Sequence, residues 1–235
     1  MEPVDLQVGR AWQYAAYVLL SLVALIFTVI LLPSSAADFR RFYGEANAIL
    51  VIVLASVLGA AALWGLESSY GFVLFLGKRT LRGMALSAAL ATVLGIAIVV
   101  ADVILRYPQD TNVPVPQALL FYPAIGFVAE IAFHVLPLAL LLLVLKPLGG
   151  WIGSGRLVWL GILLVAVTEP TFQVVFGGEA FTRRAAYTWI HVFAIALLQL
   201  YVYRRFDFMS MYLFRLFYYA YWHILWGVIR LDVLF

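Results

Sequence analysis

Continuous apolar runs, broken by short charged or Pro/Gly-bearing stretches, occupy most of the chain from Ala11 onward. A helix rises 1.5 Å per residue, so crossing a hydrocarbon layer of roughly 30 Å takes about 20 apolar residues. Runs of that kind fall at about 11–33, 46–66, 83–105, 117–145, 157–177, 185–203 and 208–234. The pattern predicts seven transmembrane helices. A further apolar stretch, Tyr70 to Gly77, is too short to span and reads as re-entrant or interfacial. Pro123 and Pro137 predict that the 117–145 helix is kinked or tilted. None of the runs alternates apolar with polar residues, which argues against a β-barrel. No repeat, linker or low-complexity tract divides the chain, so residues 1–235 read as one transmembrane domain.

Composition agrees. Of 235 residues, 66% are hydrophobic and 11% charged, less than half the roughly 25% charged share of a soluble domain. Mean hydropathy is +1.03. The fold class expected is therefore an all-α, polytopic membrane helical bundle, and nucleic acid is excluded as a partner. The first run reads as an anchor and not a secretory signal. Its apolar stretch is long and it is preceded by Glu2 and Asp5 against one Arg10, although Ser35-Ala36-Ala37 has the small residues of a cleavage site. No cysteine is present, which removes disulfides, thiolate ligands and a cysteine nucleophile.

The net charge of +3 is a matter of loops. On the side of the N-terminus fall Arg10, Lys78, Arg79, Arg82, Lys146, Arg156, Arg204 and Arg205. Opposite them fall Arg40, Arg41, Arg106, Arg183, Arg184 and Arg230. The excess predicts a cytoplasmic N-terminus. Arg215 lies inside the last run and is expected to snorkel towards the N-terminal side.

The chemistry sits where lipid should forbid it. All three histidines (His134, His191 and His223) and the acids Asp102, Glu130 and Glu169 lie within predicted spans. An ionisable group near the bilayer centre costs at least about 2.5–3.5 kcal/mol, so its default reading is functional. Glu130, Glu169 and His223 each fall near the middle of their runs, and Glu130 and His134 are four apart, on one helical face. A polar cavity shared by three helices satisfies them together. His191 lies about a turn off centre, either joining the cavity or sitting above it, and Asp102 lies close enough to its helix end to reach the interface. The bland alternative is that each group makes one helix–helix hydrogen bond.

Two carboxylates with two imidazoles suit either a metal site or a water-activating pair. In the first, Glu130, His134, Glu169 and His223 hold one divalent ion such as zinc. In the second, Glu130 or Glu169 takes the proton and His223, with His134 or His191, orients water. Both lead to hydrolysis. Haem leaves the central glutamates unexplained, and no inverted repeat or pair of broken helices supports a carrier. Gly153-Ser154-Gly155 with His223 has the outline of a rhomboid serine site. Ile152 stands where that motif needs glycine, and turn chemistry accounts for Ser154.

The order of these motifs resembles the CAAX-protease and bacteriocin-processing (CPBP) family of intramembrane proteases. That family carries Glu-Glu-x-x-x-Arg on one helix, Phe-x-x-x-His on a later one and His-x-x-x-Asn or Asp near the end. Ala129-Glu130-Ile131-Ala132-Phe133-His134 is similar to the first, and His223 to Gly227 to the last. The middle motif has two candidates, Val165 to Glu169 and Tyr187 to His191. Alternatively, Thr168 to Gln173 is the first motif and Tyr187 to His191 the second. The chain departs from the pattern at Ala129, at His134 or Gln173, and at Gly227. The resemblance spans 117–230. It implies a CPBP-like core in 117–235, behind three accessory helices in 1–116, and an endopeptidase cutting a membrane-anchored peptide with Glu130, Glu169, His223 and His191 as catalytic residues. The departures leave a second expectation, an inactive scaffold within the lipid that binds a partner transmembrane helix. The aromatic run Phe217 to Trp222 lines either a pocket for an acyl or prenyl chain or an ordinary packing face.

Overall fold

The computed structural model describes residues 9–176 and 182–235, and among them there is no strand. The helices, in chain order, are α1 (Arg10–Tyr43), α2 (Ala48–Tyr70), α3 (Lys78–Leu105), α4 (Ala118–Ile152), α5 (Ser154–Phe176), α6 (Arg183–Arg205) and α7 (208–234). The first six are long and apolar enough to cross a membrane. The chain is a multi-pass, all-α membrane bundle. The seventh run is helical as expected but less apolar, because it carries Arg215, His223 and Arg230, two of which are buried inside the protein.

Four helices are irregular, three of them at a proline. Pro33 sits inside α1, and Ser35 just beyond it leaves helical geometry (φ −129°, ψ 25°). α4 contains Pro137 and makes a π-helical turn over Glu130–Val135 before it. α5 breaks after Val165 and resumes at Thr168, where Pro170 has no N–H to give to the Ala166 carbonyl. A second π turn, Ala220–Leu225, interrupts α7 without a proline.

α7 lies lengthwise along α3 because α3 presents small residues every fourth position: Gly83, Ser87, Ala91 and Gly95, all buried. A side chain at Gly83 would sit 2.2 Å from the Ser210 hydroxyl, and one at Gly95 would sit 2.9 Å from Tyr221 Cβ. The Ser87 hydroxyl donates to the Ser210 carbonyl across this seam at 2.8 Å. Small residues at such spacing let backbones approach where lipid supplies no hydrophobic drive.

The stretch between α2 and α3 is non-helical over 71–77. It is an extended strap that follows the left-handed cap Gly71 and buries Phe72 and Leu74. Its carbonyls accept the first free N–H groups of α7, Phe208 to Val73 at 3.0 Å and Met209 to Leu74 at 3.2 Å. Asp207, fully buried, caps α7 by accepting from the Ser210 amide (2.8 Å) and hydroxyl (2.7 Å), and also takes the Leu76 amide (3.2 Å) and the Thr80 hydroxyl. At the far end of α7, Arg230 pairs with Asp102 through Nε (2.7 Å) and Nη2 (3.1 Å) and donates to the carbonyls of Tyr107, Pro108 and Gln109. Asp102 therefore does not reach the interface: it is fully buried and anchors the α3–α4 connection to α7.

Replacing Asp207 with Ala removes a cap worth about 1 kcal/mol and orphans the buried Thr80 hydroxyl, while the Leu76 amide keeps Thr80 Oγ1 as an acceptor. Chemical denaturation of detergent-solubilised protein should show a loss of about 2–4 kcal/mol. Asp207→Asn, which can still cap, should cost less than half as much.

Candidate functional site

The last four helices meet around one arginine. Arg215 projects from α7 and is 3% exposed, and all five of its N–H groups are used. Nε donates to Glu130 Oε1 at 2.5 Å. Nη1 and Nη2 grip the two oxygens of Glu169 at 2.9 and 2.8 Å, a bidentate pair. The remaining hydrogens go to the Tyr219 hydroxyl (3.0 Å) and Gln199 Oε1 (3.3 Å). Gln199, on α6, also donates to Glu130 Oε1, and Gln173 donates to Glu169 Oε1 at 3.2 Å. Gly126 makes room for the guanidinium stem, since a Cβ there would lie 3.3 Å from Arg215 Cδ.

Local sequence explains why the acids face this way. In α4, Pro137 cannot donate to the Phe133 carbonyl four residues back. The Thr168 hydroxyl from the broken α5 lies 3.0 Å from that carbonyl and 2.8 Å from the Val165 carbonyl, so its one proton is shared between them. Proline and π turn together set the register of Glu130 and His134. The break in α5 places Glu169 in the first turn of the half-helix Thr168–Phe176, where a carboxylate meets the positive end of the helix dipole.

His134 completes the cluster. Its Nδ1–H donates to Glu130 Oε2 at 2.6 Å. Its Nε2 lies 3.5 Å from Glu169 Oε2 without hydrogen-bond alignment, and it is a fully buried atom with no partner. Glu130, His134 and Gln199 have no exposed surface and Glu169 has 3%.

Of the expected site residues, Glu130, Glu169 and His134 come together and His223 does not join them. The carboxylates do not approach the His223 ring. Its Nδ1–H donates to Asn112 Oδ1 at 2.7 Å, and the ring stacks on Tyr122 (centroids 4.4 Å apart, 20° between planes). The reason is axial offset. Arg215 is level with Glu130, and His223, eight residues on, lies about 12 Å further along the helix at 1.5 Å per residue. Tyr219 stands between them, its hydroxyl on Arg215 and its ring 4.9 Å from that of His223. His191 is also apart, its Nε2 lying 3.1 Å from the Tyr218 hydroxyl. In the aromatic run, Tyr218 and Trp222 are buried in a cluster with Ala91 and Ile98 of α3, so this stretch is a packing face.

The expected metal set does not fit. Among the described residues no group of three or more His, Asp or Glu is placed to hold a metal ion. The oxygens that would ligate it already accept from Arg215, Gln199 and His134. Arg215 is the cation of this site. It is buried and does not snorkel to the interface, and two acids within neighbouring spans are the signal that a cation is buried with them.

Arg215→Met should be the most damaging single change in the bundle, at about 3–5 kcal/mol, because it strands two carboxylates. Arg215→Lys should recover little, since one ammonium cannot reproduce the bidentate and bridging bonds. Adding Glu130→Gln and Glu169→Gln to Arg215→Met should restore most of the loss, read by denaturation of the solubilised proteins.

No known protein family, curated protein or solved structure matches this chain.

Proposed function

We propose that the chain is an intramembrane hydrolase of the CPBP-like type, acting on a membrane-anchored peptide, with His134 as the group that takes a proton from water. The observation that carries this reading is the orphaned Nε2 of a fully buried imidazole whose Nδ1–H is held by Glu130. A carboxylate that fixes one nitrogen leaves the other with its lone pair free, which is the arrangement of a general base. Water adds to the peptide carbonyl as its proton passes to Nε2. The proton then leaves with the amine when the C–N bond breaks. Glu169 and Arg215 line the other side of His134 and supply the fixed charges of the site.

A second feature supports the family likeness. Gly227 stands where the family pattern has Asn or Asp, and Asn112 reaches into that space, with a Cβ at Gly227 falling 3.0 Å from Asn112 Nδ2. Asn112 thereby contacts His223, the first residue of that motif, from a different part of the chain. The cytoplasmic N-terminus belongs to the same proposal and rests on the excess of Lys and Arg on that side.

One observation favours the scaffold alternative: every N–H of Arg215 is already satisfied and the cluster is almost free of solvent. The two readings separate in cells. Expressing His134→Gln and Glu130→Gln should lower hydrolysis by about 10²–10⁴-fold, seen as uncleaved peptides accumulating in the membrane fraction by mass spectrometry. His191→Gln should leave turnover unchanged. A peptide profile identical in all strains, with a co-purifying membrane helix lost from the first two variants, would make the protein a scaffold.

A further inference from the structure

Away from the ion cluster, α2 and the second half of α4 diverge to leave a groove of about 320 Å³. Its α2 wall runs from Leu58 through Ala62 and Gly65 to Ser69 and Tyr70. Its α4 wall runs from Leu136 through Ala139 and Leu143 to Lys146. Both walls follow the three-and-four spacing of a single helical face. The groove exists because its floor is made of small residues; a Cβ built at Gly65 meets nothing within 4 Å.

The groove has a direction. Its polar residues, Ser69, Tyr70 and Lys146, lie at one end, and the rest of the lining is apolar with no acid. Lys146 is exposed and forms no ion pair among the described residues. From residue 58 to residue 70 the wall is about 18 Å long at 1.5 Å per residue, close to the depth of one leaflet's hydrocarbon, half of roughly 30 Å. Dividing the volume by that length leaves a cross-section of about 18 Å². A helix about 10 Å across has several times that cross-section, so the groove is too small for a partner helix.

We propose that this groove holds one acyl chain of an anionic phospholipid, with the headgroup phosphate at Lys146. Size argues for a chain over a partner helix, and the unopposed lysine selects a negative headgroup. The proposal is independent of the chemistry assigned to His134.

The test uses the full-length protein, purified in mild detergent after incubation with vesicles of phosphatidylglycerol or phosphatidylcholine, with retained lipid counted by native mass spectrometry. Wild type should retain about one phosphatidylglycerol and prefer it over phosphatidylcholine about fivefold, the effect of one lysine at the surface. Gly65→Leu, which grows into open space, should abolish retention of both lipids while melting like wild type. Lys146→Gln should keep the acyl-chain binding and lose the preference. Equal retention of the two lipids by wild type would overturn the proposal. So would undiminished retention in a folded Gly65→Leu protein, or Gly65→Leu releasing a bound polypeptide in place of lipid.

Discussion

A guanidinium between two carboxylates, inside a protein that is itself inside lipid, constrains everything else in this fold. Arg215 reaches Glu130 on α4 and Glu169 on α5 and shares Gln199 with α6, so one side chain ties together the last four helices. Desolvating these charges is expensive, and their mutual attraction offsets that cost only with near-complete hydrogen bonding. The geometry meets that demand: five donors, five acceptors, two of them in a bidentate fork. Asp102 and Arg230 repeat the solution on a smaller scale at the far end of α7. Hence α7 belongs in the bundle's interior, with its two buried arginines facing α3 to α6 and away from lipid.

The irregular backbone follows from the same constraint. A straight α4 would place Glu130 and His134 by 3.6-residue geometry alone. Pro137 and the π turn over Glu130–Val135 reset that register, and the Thr168 hydroxyl at the break in α5 is shared between the Phe133 carbonyl of α4 and the Val165 carbonyl of α5. π turns recur at functional sites because they aim a side chain that regular geometry cannot. Here both π turns carry a histidine, His134 in one and His223 in the other.

Lipid makes element positions easy to read, because an apolar run long enough to span has few other fates; the seven runs correspond to α1 to α7, most of them lengthened at their ends. The pairing of Glu130 with His134 was also legible, since residues four apart share a face even through the π turn. What escaped were contacts set by axial offset and by chain crossing. Mid-run position placed His223 with the glutamates, yet the level of Arg215 decides depth, and that level depends on how Asp207 and the strap dock the start of α7. Asn112 lies in a connection whose sequence carries no periodic signal, so its bond to His223 could be found only in three dimensions. The metal reading failed for a related reason: Glu and His are ordinary ligands, and nothing in their spacing tells a metal ion from an arginine supplied by another helix.

The central claim is that Arg215 binds Glu169 and Glu130 directly within the membrane. Solid-state NMR on protein reconstituted in lipid bilayers measures it most directly, through dipolar recoupling between ¹⁵N-labelled arginine side chains and ¹³C-labelled glutamate carboxyls, with Arg215→Lys as the assignment control. N–O contacts of 2.8 and 2.9 Å to Glu169 and 2.5 Å to Glu130 predict strong dephasing of two carboxyl signals that is lost together in the control, while the Glu67 signal, held by Arg10 at 2.8 Å, dephases in both. Carboxyl signals that dephase no more in wild type than in Arg215→Lys would contradict the account.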